Sequence, residues 1–139
     1  MREILFRGKR IDNGEWVEGY LVKAVGGECM ILPITTEHWG GVEFNIGYHC
    51  DPATVGQYTL LEDKDSKRIF EGDIVRDNDG KIYVVLWSAA GFGLKYDPLH
   101  AHGFYYELSP LCNFWNAHGS IIKVIGNIHD NPELLEEEG

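Results

Sequence analysis

The sequence predicts a mainly β protein built from two small β units, the second with the character of an SH3-like barrel. Three observations predict it. Seventeen glycines punctuate a chain rich in Trp, Tyr, Phe and β-branched residues, a composition of strands joined by tight turns. Apolar and polar residues alternate with a period of two in several short runs. Helix signals are few and short.

The elements follow in order. Ile4 and Phe6 alternate with charged neighbours, and the turn signal Asp12-Asn13-Gly14 leads into Glu15-Trp16-Val17-Glu18-Gly19-Tyr20-Leu21-Val22, which reads as a half-buried strand. The Asn-Gly pair suits the positive φ of a tight hairpin, so the first two strands are expected to pair directly. Cys29-Met30-Ile31-Leu32-Pro33 reads as a short apolar strand ended by proline, Val42 to Tyr48 alternates again, and Gln57 to Leu61 is extended. The polar segment from Glu62 to Lys67 is the best boundary, giving an N-terminal β unit over 1–61 and a C-terminal barrel-like unit over 62–139.

The second unit opens on the strongest hairpin signal in the chain. Gly72-Asp73-Ile74-Val75-Arg76 meets Lys81-Ile82-Tyr83-Val84-Val85-Leu86-Trp87 across Asp77-Asn78-Asp79-Gly80. Phe92 to Tyr96, Phe104 to Leu108 and Ile121 to Ile128 are expected to complete the barrel. Ser109-Pro110 caps a short turn reaching Trp115, and Asn131-Pro132-Glu133-Leu134-Leu135 opens a short C-terminal helix. An acidic tail, Glu136-Glu137-Glu138, follows.

Charge and composition then exclude several functions. The net charge is −10, and residues 130–139 hold Asp130, Glu133, Glu136, Glu137 and Glu138 with no base. The basic groups Arg2, Arg7, Lys9, Arg10 and Lys64, Lys67, Arg68 form no stripe, and the second group is interleaved with carboxylates. This argues against sequence-independent nucleic-acid binding. No apolar run approaches the roughly 18 to 20 residues that cross a bilayer, and the opening Met1-Arg2-Glu3-Ile4-Leu5-Phe6-Arg7 lacks the apolar stretch of a secretory signal.

Motifs of known chemistry are mostly missing. Gly91-Phe92-Gly93 has no lysine and no following helix, so it is no phosphate loop, and no nucleophile elbow occurs. Asp77-Asn78-Asp79-Gly80 mimics part of a calcium loop, but a hairpin turn explains it better. Cys29, Cys50 and Cys112 are odd in number and widely spaced, and read as free thiols filling half-buried strand positions. The one constellation to weigh for a metal is His100, His102 and His118, with Cys112 and His49-Cys50-Asp51 as further donors. Against it, Asp97-Pro98 and Gly103 mark His100 and His102 as loop residues. No catalytic set and no cofactor motif emerges.

Three blocks resemble a known family. Gln57-Tyr58-Thr59-Leu60-Leu61-Glu62-Asp63-Lys64-Asp65-Ser66-Lys67-Arg68-Ile69-Phe70-Glu71-Gly72-Asp73-Ile74-Val75 is similar to the central motif of the YopX family of phage and prophage proteins. Arg2-Glu3-Ile4-Leu5-Phe6-Arg7 and Val124-Ile125-Gly126-Asn127-Ile128-His129-Asp130-Asn131-Pro132-Glu133-Leu134-Leu135 are similar to its two ends. One departure is Leu60, where that family more often carries a glycine before the leucine. The resemblance implies a mostly β fold and a phage or prophage product working in a bacterial cytoplasm, and it supplies no catalytic residues. Within Glu71-Gly72-Asp73, Gly72 permits a bend into a strand and Asp73 can accept from nearby backbone N–H groups.

The leading expectation is therefore a non-enzymatic binding module that engages a host or phage protein, or itself as a homo-oligomer. A single-stranded nucleic-acid-binding β-barrel is the first alternative, with Phe104, Tyr105, Tyr106, Phe114 and Trp115 as stacking residues. A metal-dependent hydrolase using His100, His102 and His118 is the second.

Overall fold

The computed structural model describes residues 4–33, 47–88, 91–96, 105–107 and 122–135. Eleven strands and two 3₁₀ turns are described, and the chain divides into two compact units at Tyr58 and Thr59. The chain is mainly β, as its alternation predicts.

The first unit is an antiparallel sheet. It contains β1 (Phe6–Lys9), β2 (Trp16–Lys23), β3 (Cys29–Pro33) and β4 (Tyr48–Cys50), followed by a 3₁₀ turn (Pro52–Thr54) and the start of β5 (Gly56–Glu62). Strand order is β4-β3-β2-β1-β5. The first hairpin pairs β1 with β2 directly, Phe6 opposite Gly19 and Lys9 opposite Trp16. Its turn is wider than a two-residue Asn-Gly connection. The Gly14 amide donates to the Arg10 carbonyl at 2.9 Å, and Gly14 takes the positive φ (75°) while Asn13 does not. Asn13 instead accepts from the Glu15 amide through its side chain, the local bond that makes asparagine a turn residue. Proline and Asp51 start the 3₁₀ turn: the Asp51 carboxylate caps the Ala53 amide, and Thr54 turns back to accept from the Lys9 amide. Among the described residues of this unit, Leu5, Cys29, Ile31, Cys50 and Tyr58 are the buried apolar ones.

In the second unit the end of β5 runs beside β6 (Arg68–Phe70). A separate five-stranded antiparallel sheet has the order β10-β9-β8-β7-β11, from β7 (Asp73–Arg76), β8 (Ile82–Ser88), β9 (Gly91–Tyr96), β10 (Tyr105–Glu107) and β11 (Lys123–Asn127). The β7–β8 and β8–β9 hairpins are the expected meander. Among the described residues β10 and β11 remain the sheet's two ends, so the barrel character stops short of closure. Leu61, Ile69, Val75, Tyr83, Val85, Leu94, Ile122 and Val124 form its core, with Phe92 packed against them. Tyr83 and Val85, two apart on β8, face this core, as the period of a strand requires, and Val84 between them is buried as well.

A bend at Gly72 joins β6 to β7. Gly72, at φ 93°, donates to the Val85 carbonyl and accepts from Ile128, while Asp73 accepts from the Phe70 amide at 2.7 Å. Glu71-Gly72-Asp73 thus has a structural use at each end of the bend. The expected C-terminal helix is a single 3₁₀ turn, Pro132–Leu135. The Ser109–Trp115 turn and most of the Val42–Tyr48 strand lie outside the described residues.

Candidate functional site

The first sheet has two faces, fixed by register, because residues directly opposite each other project to the same side. One face holds Gly19, Leu21, Ile31, Tyr48, Cys29 and Cys50. The other holds Arg7, Glu18, Tyr20, Leu32, Val22, Met30 and His49. Tyr20 and Val22 are both about half exposed (48% and 47%) on that second face. Their partners across β3, Leu32 and Met30, are half-buried. Four apolar side chains in two adjacent register pairs therefore make one patch, whereas scattered single exposed residues would need no explanation.

Cationic side chains of β1 and of Arg10 just after it stack on aromatic rings of β2 and β4. The Arg7 guanidinium lies 4.8 Å from the Trp16 ring centroid, and the Lys9 ammonium 5.7 Å from it. Arg7 is nearly buried against this ring. Arg10 lies 4.0 Å from the centre of the Tyr48 ring and forms a two-pronged ion pair with Asp12, at 2.9 and 2.7 Å. That pair is exposed. The Arg10 hydrogen bond holds the Asp12 carboxyl below its ordinary range, and Asp12 raises Arg10 in turn. Stacking a guanidinium on an aromatic face keeps it oriented while leaving its edge to hydrogen-bond, which suits a contact surface.

A cavity of about 530 Å³ is lined by Ile11, the Gly26-Gly27-Glu28 turn, Cys29, His49, Cys50 and Pro52. Cys29 and Cys50 are register partners, both buried and both free thiols. The Cys29 thiol donates to the Gly27 carbonyl at 3.9 Å and that of Cys50 to the Tyr48 carbonyl at 3.4 Å. Burial, and then the neighbouring Cys29, push the Cys50 thiol above its ordinary value.

The buried carboxylates of the second unit are committed to structure. Asp63 accepts from the amides of Asp65, Lys67 and Val124, and Asp77 from those of Asp79 and Lys81 and from the Tyr83 hydroxyl. Asp77-Asn78-Asp79-Gly80 is thus a hairpin turn whose carboxylate turns inward onto its own backbone. His100, His102 and His118 lie outside the described residues, as do Cys112, Phe104, Phe114, Trp115 and the Glu136–Glu138 tail. His49 is described, and is exposed on β4. No group of three His, Cys, Asp or Glu side chains suited to a metal occurs among the described residues, nor is any helix there long and apolar enough to cross a membrane. Sequence reasoning missed the Tyr20–Val22 patch and the meeting of Cys29 with Cys50. The alternation in β2 carried a signal for the first.

The family description "YopX protein" matches residues 5–136, nearly the whole chain. The chain belongs to the YopX family. Its similarity extends to a crystal structure of protein EF1440 from Enterococcus faecalis, at 24% identity and a TM-score of 0.51, covering 97% of this chain and 99% of that one. At that identity the likeness shows a shared fold. No curated protein matches this YopX-family chain. Leu60 takes φ 75°, in the left-handed region where glycine is at ease.

Proposed function

We propose that this YopX-family chain is a non-catalytic protein-binding module, a phage or prophage product that works in a bacterial cytoplasm by engaging a host or phage protein, a second copy of itself included. The observation that carries this reading is the patch of Tyr20, Val22, Met30 and Leu32 on one face of β2 and β3. Tyrosine and methionine are enriched at the centres of protein interfaces, where they bury large area at modest entropic cost. The Lys9 ammonium, stacked on the Trp16 ring, flanks it as an oriented polar contact. A net charge of −10 disfavours an acidic partner and a phosphate backbone alike. The buried Asp63 and Asp77 carboxylates are taken up by backbone amides of their own turns.

The test uses tagged full-length protein and its Tyr20→Ser/Val22→Ser variant in parallel. Light scattering over a range of concentrations reads self-association, and retention from nuclease-treated bacterial lysate reads other partners. The reading predicts a self-complex or a retained protein that the variant loses while keeping its circular dichroism spectrum. Equal behaviour of the two proteins overturns it. Retention that disappears with nuclease overturns it in favour of nucleic-acid binding.

A further inference from the structure

Cys29 on β3 and Cys50 on β4 are 21 residues apart in the sequence, yet face each other in register as an antiparallel pair. Opposed residues in such a pair hold their Cα atoms about 4.5 to 5.5 Å apart, inside the range that a disulfide spans. Both side chains project to one face, and both line the cavity of about 530 Å³ whose rim includes the exposed Ile11. Gly8 lets Cys50 pack closely against β1, since a Cβ there would stand 3.3 Å from the Cys50 sulfur and 3.0 Å from its Cβ. Two thiols that served only to fill space would not need a shared cavity leading to solvent.

We propose that Cys29 and Cys50 form a dithiol site for low-molecular-weight disulfides, which oxidise the pair to a cross-strand disulfide. Cys29, the more exposed of the two at 4% against 1%, enters first. Its thiol gives up a proton and its sulfur attacks one sulfur of the reagent; the reagent's S–S bond breaks and one thiolate leaves, taking up a proton. The Cys50 sulfur, deprotonated in turn, attacks the Cys29 sulfur of the mixed disulfide, and the second thiolate leaves protonated. Two protein thiols are oxidised by two electrons, and one reagent disulfide is reduced to two thiols. Burial holds Cys50 in its protonated form, which slows the second step. The product ties β3 to β4 and locks the register that carries Met30 and His49 on the opposite face.

The experiment treats folded full-length Cys112→Ser protein with hydroxyethyl disulfide and follows intact mass, linked peptides and thermal unfolding. The proposal predicts loss of two hydrogen atoms, a Cys29–Cys50 linked peptide, and a raised unfolding midpoint that dithiothreitol reverses. In the further variant Cys50→Ser the reaction stops at a stable adduct on Cys29. If the folded protein keeps both thiols open to alkylation after treatment, or links them only in denaturant, the proposal is overturned. The Cys112→Ser measurement decides the matter even where Cys50→Ser does not fold.

Discussion

Asp63 and Asp77 occupy the same position in two successive hairpin turns. Each Oδ1 accepts from the amides two and four residues on, Asp65 and Lys67 in one case and Asp79 and Lys81 in the other. Each backbone amide donates to the carbonyl of the closing lysine, and the residue before that lysine takes a positive φ: Ser66 at 67°, Gly80 at 86°. The second carboxylate oxygens differ. That of Asp63 accepts from the Val124 amide of β11, and that of Asp77 from the Tyr83 hydroxyl.

This difference predicts unequal costs for the same substitution. In Asp63→Asn the new NH₂ faces the fixed Val124 N–H, donor against donor, leaving a buried amide unsatisfied at about 2–3 kcal/mol. In Asp77→Asn the Tyr83 hydroxyl can rotate and accept, so the loss stays below about 1 kcal/mol. Urea unfolding of the two variants, with slopes compared, checks the order; equal losses would contradict the hydrogen-bond assignment.

Backbone strain gives a second expectation. Leu60 and Ser66 sit in the left-handed region, which costs an L-residue about 1–2 kcal/mol. Glycine removes that cost and returns about 0.4–1 kcal/mol through a freer unfolded chain. Leu60→Gly and Ser66→Gly each stabilise by about 0.5–1 kcal/mol on this account, and Gly80→Ser loses a similar amount. A lowered unfolding midpoint for both glycine variants would count against it.

Gly19 is needed for a different reason. A Cβ there would run into the Leu32 carbonyl and stand 2.9 Å from the Cα of Pro33, so β2 and β3 could not approach as they do. Gly19→Ala is expected to cost about 3 kcal/mol, at the upper end of ordinary overpacking because backbone must move. Amide exchange along β2 and β3, read by mass spectrometry, should accelerate in this variant.

The Arg10–Asp12 pair sets a pH expectation. Its carboxyl is held below the ordinary value by the Arg10 hydrogen bond, so any stabilisation it gives is present above the unfolded pKa of about 3.9 and fades as pH falls through the lower folded value. An NMR titration of the Asp12 carboxyl should show a depressed midpoint, restored toward the ordinary value in Arg10→Gln. Exposure and added salt keep the effect on stability small.

Much of the fold was legible because its signals are local. Asp-x-Asp-Gly-Lys between alternating strands marks a hairpin without knowledge of the rest, and Gly72-Asp73 announces a bend at its own position. The contacts that were hidden join distant positions. Asp63 and Val124 are 61 residues apart, and Cys29 meets Cys50 only once the register of β3 and β4 is set. The Leu60 left-handed turn depends on Thr59, whose hydroxyl donates to the Ile69 carbonyl and accepts from the Leu61 amide. No propensity scale carries that arrangement. The outer patch was half legible, since Tyr20 and Val22 alternate with Leu21, but which side of the pleat meets solvent is decided by the sheet's packing.

The Tyr20–Val22 face, as proposed here, is a protein-binding surface. The most direct measurement places a photo-crosslinking phenylalanine analogue at position 22 and, as control, at the fully exposed Val25 on the β2–β3 turn. Irradiation in nuclease-treated bacterial lysate should give a discrete protein adduct, or a dimer of this chain, from position 22 and not from position 25. No adduct from position 22, or the same adducts from both positions, would contradict it.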